Sequence, residues 1–91
     1  MDNIKNNIKE LEESLSLPKG SLETSFVQLD SLSAATVLST MMEEIIKGIA
    51  TSPAVFRQPY MAEGVTCLIA NISLLRAMFM DDYANGTRTI N

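Results

Sequence analysis

The sequence predicts an all-α fold: three main helices, at about 3–16, 30–50 and 59–83, in a small bundle completed by oligomerisation. Three observations carry this. Apolar residues recur every three or four positions along most of the chain, the period of one helix face. No segment alternates apolar and polar residues for more than a few positions, as a half-buried strand would. Pro18, Pro53 and Pro59 fall where the periodic stretches meet, at places where helices stop or start.

The first helix rests on Ile4, Ile8, Leu11 and Leu15, which step by four, three and four. At about 100° per residue they share a narrow arc of one face. Lys5, Lys9, Glu10, Glu12 and Glu13 fill the rest, and Lys9 lies one turn from Glu13. Asp2 or Asn3 can accept from the free amides at the helix start. So short a helix is marginal alone in water and must dock on something.

Leu17-Pro18-Lys19-Gly20-Ser21 breaks the chain. Pro18 disfavours helix at Leu17, and Gly20 permits a left-handed turn. Leu22, Phe26 and Leu29 then have helical spacing, yet Thr24, Ser25, Phe26 and Val27 are mediocre helix formers. The second main helix therefore starts either near residue 21 or after Asp30, a natural N-cap.

Within 30–50, Ala35, Leu38, Met42, Ile45, Ile46 and Ile49 share one side, with Leu32 and Met41 at its margins. Ser33, Thr36, Thr40, Glu43, Glu44 and Lys47 form the other, and Glu43 precedes Lys47 in the favourable order for an ion pair. The apolar sector covers about half the circumference, wide enough for more than one neighbour. Ser52 and Pro53 read as cap and first residue of a new turn. Pro59 interrupts that turn, and the last helix runs to the Asn85-Gly86 stop. Residues 87–91 read as a frayed tail of a single domain, 1–91.

The last helix is the most informative. Met61, Val65, Leu68, Ile72, Leu75 and Phe79 step by four, three, four, three and four along one face. The opposite face carries Cys67, Ala70, Leu74, Ala77 and Met78, relieved only by Thr66 and Ser73. A helix apolar on nearly all sides is buried on nearly all sides, and a monomer this small covers one face and part of a second. The seam, with Leu74 and Met78, is therefore the expected interface, and a symmetric contact reuses one patch economically. The alternative is that the chain wraps this helix itself. Gly64, costly in a helix relative to alanine, fits either a close helix approach or tolerance near the helix start.

Composition narrows the function. The chain has 91 residues, 46% apolar but only 5% aromatic and without Trp, so its core is aliphatic. Six Met supply adaptable filler. Seven Lys and Arg against eleven Asp and Glu leave a net charge of −4, which repels polynucleotides and anionic membrane surfaces. The uncharged run from Gly64 to Leu75 ends at Arg76 and is too short to span a bilayer. The N-terminus resembles no secretory signal and Cys67 is the lone cysteine, so a cytoplasmic location is expected.

Chemistry is sparse. There is no histidine, hence no commonest general base or metal ligand. Cys67 reads as a small core residue, and Glu43-Glu44 and Asp81-Asp82 as solvated pairs, far short of a metal site. Asn71-Ile72-Ser73 and Asn85-Gly86-Thr87 match the glycosylation pattern by chance, the first being mid-helix. No catalytic residue, metal or cofactor is expected. The leading expectation is a non-catalytic interaction protein, an adaptor, chaperone-like subunit or inhibitor of a larger protein partner. Its rival is an oligomeric ligand-sequestering protein, of the kind found in phages or other viruses, that takes up a small anionic nucleotide. Arg57, Gln58 and Tyr60, beside the Pro59 bend, would bind it between subunits, Arg pairing with phosphate and Tyr stacking on a base.

Overall fold

Ile4, Ile8 and Leu11 are buried along one stripe of α1 (Asp2–Ser14), the face their spacing assigns to the core. The computed structural model describes residues 2–86, so the expected tail at 87–91 lies outside the described residues. Five helices follow in order: α1, α2 (Ser21–Val27), α3 (Ser31–Thr51), α4 (Pro53–Phe56) and α5 (Pro59–Asn85). No strand occurs among the described residues.

Among the described residues five helices form where the sequence predicts three main ones, and the cause is local. Residues 21–27 are a separate helix, not the beginning of α3. Asp30 takes an extended conformation (φ −72°, ψ 168°) and its carboxylate accepts from the Ser33 N–H at 2.7 Å. That cap starts α3 afresh and uncouples it from α2. Pro53 and Pro59 bound α4 in the same way, with Gln58 extended before Pro59, as a pre-proline residue prefers. Gly86 ends α5 in the left-handed region at φ 68°, a common helix stop.

α1 ends in a Schellman motif. The Leu17 N–H donates to the Glu12 carbonyl at 2.9 Å and the Ser16 N–H to the Glu13 carbonyl at 3.1 Å. Ser16 occupies the left-handed position, φ 56°, where a Cβ is penalised. Ser16→Gly removes that strain and adds freedom to the unfolded chain. The net expected gain is about 0.5–1 kcal/mol, read as a higher urea midpoint at unchanged slope. A lower midpoint would contradict it.

Glu12 does not belong to the solvent face. It is 2% exposed, and its carboxylate accepts the N–H groups of Gly20 (3.0 Å), Leu22 (2.8 Å) and Glu23 (3.1 Å). Gly20, the N-cap of α2, has no side chain to do this, so α1 supplies the cap. The ion pair expected for Glu43 forms instead between Glu44 and Lys47, at 3.6 Å with both side chains mostly exposed, and contributes little.

α3 and α5 form an antiparallel hairpin closed by α4. Ser31 meets Asp82 near one end, Ser39 meets Arg76 and Met42 meets Ser73 further along. α1 lies antiparallel to α5, with the Asn7 amide on the Met78 sulfur. The core joins Ile4, Ile8 and Leu11 of α1, Phe26 of α2, Ala34, Ala35 and Leu38 of α3, and Ile72, Leu75 and Phe79 of α5. It therefore occupies one half of the hairpin, beside α1 and α2.

Candidate interaction face

At about 1.5 Å per residue the 13-residue α1 is about 20 Å long and the 27-residue α5 about 40 Å. A docked helix of half the length covers half the groove. Proline and glycine turn the chain back into α2 after Leu17, so nothing continues along the line of α1. Leu15, half-buried just past the end of α1, packs against the core at this end.

Beyond it lies an open apolar concavity of about 450 Å³, lined by Leu15 just after α1, Thr36, Val37, Thr40, Met41, Glu44 and Ile45 of α3, and Leu68 of α5. A shallower hollow of about 190 Å³ adjoins it at Leu68, lined by Ser14, Tyr60, Met61, Gly64 and Val65. Both are walled at one end by the last turn of α1. Phe56 of α4 sits further along α3, its ring 3.8 Å from where a Gly48 Cβ would be. A Cβ on Gly64 would meet nothing within 4 Å. Within the chain, therefore, no close packing accounts for this glycine.

The heptad seam divides into two parts. Ile72, Leu75 and Phe79 are completely buried by the chain itself, whereas Met61, Val65 and Leu68 are half-buried and line the open hollows. Of the two further positions, Met78 is half-buried against Asn7 and Leu74 is 50% exposed. Cys67, Ala70 and Ala77 are exposed beside Leu74 on the back of α5. Cys67 is thus a surface thiol, not a core residue. Helical spacing identifies an apolar face; it does not report which helix is too short to cover it. Comparing the lengths of the first and last periodic stretches would have located the bare half and added Val37, Met41 and Leu15 to the face.

Arg57, Gln58 and Tyr60 lie together at the α4–α5 corner, at the uncovered end of the hairpin. All three are exposed, Tyr60 at 73%, and Gln58 makes no side-chain cap bond to α5. They form a polar corner next to the apolar groove, with Tyr60 belonging to both.

Ser31 and Asp82 are buried at the covered end. The Ser31 hydroxyl donates to Asp82 Oδ2, while Asp82 Oδ1 and Asn71 Oδ1 have no hydrogen-bond partner. Asp82 is 4% exposed, so the Asp81-Asp82 pair is not solvated as expected: one carboxylate faces out and the other in. No group of three or more His, Cys, Asp or Glu side chains able to hold a metal occurs among the described residues. α5 has an 18-residue window of mean hydropathy 1.3, long and apolar enough by those measures to cross a membrane, a test that core helices of soluble proteins also pass.

Comparison with protein-family models, with curated proteins and with solved structures finds no match for this chain.

Proposed function

We propose that this chain is a non-catalytic interaction protein, an adaptor, chaperone-like subunit or inhibitor, working through the half of the α3–α5 hairpin that α1 leaves bare. One observation carries the reading: among the described residues, no segment fills the aliphatic groove between two helices that is lined by Leu15, Met41, Ile45 and Leu68. Contiguous apolar surface of this kind marks contact sites on soluble proteins. An amphipathic helix laid in a groove is the usual occupant. The absence of histidine from the sequence is consistent with a role that needs no proton transfer.

The nucleotide-sequestering reading ranks second. Arg57, Gln58 and Tyr60 share one corner but stand exposed to solvent, so a second copy's corner would be needed to close a pocket round a phosphate.

Val37 is 41% exposed on the groove rim, so Val37→Lys puts a charge into the contact without touching the core. Affinity purification from its own cells is expected to return wild-type chain with a stoichiometric companion, a second protein or a differently tagged second copy. The variant returns bare. Equal recovery of companions by the two baits would remove the groove from the mechanism.

A further inference from the structure

We infer that the occupant of the bare groove is a second copy of this chain, with two α3–α5 hairpins meeting face to face across a two-fold axis to form a four-helix contact. This rests on the reading of the groove as a working interface and adds what fills it.

Area is the first argument. A compact monomer of 10.0 kDa exposes about 5,200 Å², whereas this chain exposes 5754 Å², an excess of about 500 Å². A contact at the threshold for a specific interface would bury about 500 Å² of each copy, the same order as this excess. The radius of gyration agrees: 13.8 Å, against about 12 Å for a compact domain of this length.

Self-complementarity is the second. A two-fold contact needs both a hollow and something to fill it on the same patch. The hollow is the concavity at Leu15, Met41 and Leu68. At the same end of the hairpin Tyr60, which lines the adjoining hollow, is 73% exposed on the first turn of α5. A second copy brings a large side chain of its own to each groove.

Gly64 is the third. Glycine inside a helix is unfavourable relative to alanine, and a Cβ here would meet no other described part of the chain within 4 Å beyond its own helix turn. A helix of the second copy passing over this point gains the closest approach that a missing side chain allows. The net charge of −4 does not oppose the pairing at the seam. Glu44 is the charged side chain lining the concavity, and Lys47 of the same helix lies 3.6 Å from it.

Sedimentation equilibrium and native mass spectrometry on the full chain test this, at concentrations up to about 100 µM, where an interface of threshold size still associates. Wild type is expected at twice 10.0 kDa. Gly64→Leu fills the approach with a better helix former, and Val37→Lys charges the rim. Each is expected to weaken association at least tenfold, while the melting temperature of Gly64→Leu at low concentration does not fall. A larger assembly that both substitutions disperse supports the pairing as one of its contacts. A wild type that stays monomeric overturns it, as does an assembly that neither substitution weakens, which would be built through another face such as Cys67, Ala70 and Leu74. A monomeric wild type whose companion protein is lost on Val37→Lys overturns only the second copy and leaves the groove's role standing. If the companion survives as well, both fall.

Discussion

Phe79→Ala lowers the unfolding free energy by about 4 kcal/mol. The side chain is completely buried, and its ring lies 5.7 Å from that of Phe26, tilted by 35°. Truncation removes the transfer energy of the ring and leaves a cavity that three helices must share. It also removes the aromatic pairing, about 0.5–1.5 kcal/mol beyond area. The loss reaches further than one site, because Phe26 is the buried residue of α2. Without its partner α2 still has its cap from Glu12 and the partly buried Leu22. Domains of this size have about 5–15 kcal/mol in all, so the variant gives up a large share of the total. Urea unfolding followed by circular dichroism gives the number. A loss below about 2 kcal/mol would mean that the site collapses freely and that α2 is held by something other than the ring pair.

The same position shows what could be read from the sequence and what could not. Phe79 belongs to a seam legible from its steps of four and three, and the all-α class followed from that periodicity in three separate stretches. Periodicity does not report depth. Met61, Val65 and Leu68 continue the seam of Ile72, Leu75 and Phe79 with the same chemistry, yet the first three line an open groove and the last three the core. The difference is set by the length of α1 and the turn at Leu17-Pro18, a property of another segment. Residues 21–27 were legible only as an alternative, because the energy that makes them a helix is tertiary: the Phe26–Phe79 contact and a cap from eight residues upstream. Asp82 and Glu12 escaped for a related reason. A carboxylate on a helix is read as solvated unless its partner is visible, and those partners are Ser31, far away in the chain, and three backbone N–H groups.

α5 holds the two halves together. Its covered half donates the core residues that fix α1, α2 and the start of α3, and its bare half, with α3 and α4, projects from that core to give long axes of 42, 24 and 17 Å. On the proposed function, stability and interaction are separated along the hairpin. Substitutions at Ile72, Leu75 or Phe79 act on folding. Those at Val37, Tyr60 or Gly64 leave the core untouched and test the proposed contact.

Glu12→Ala is the second large loss expected, about 2 kcal/mol, although the side chain touches no ligand and contributes no apolar area. Three backbone donors at the start of α2 converge on its two oxygens at 2.8–3.1 Å, and a negative charge there also faces the positive end of the helix dipole. Removal strands those donors where Gly20 offers no side chain in substitution. The bond from the Gly20 N–H is the largest influence holding the carboxyl below its usual 4.5; burial opposes it, and the Glu23 and Leu22 N–H groups and Lys9 reinforce it. A depressed pKa in the folded state means that the folded protein binds its proton less readily than the unfolded chain does. The contribution is therefore complete above about 4.5 and is lost as the pH falls through the folded-state value. Glu12→Gln keeps one acceptor but sets an amide NH₂ against the donors and carries no charge. Its stability at pH 7 should fall between wild type and Glu12→Ala, and its decline below pH 4.5 should be shallower than that of wild type. Urea midpoints at closely spaced pH values for the three proteins separate the cases. Parallel acid limbs in wild type and Glu12→Gln would show that the carboxylate is not what anchors α2 to α1.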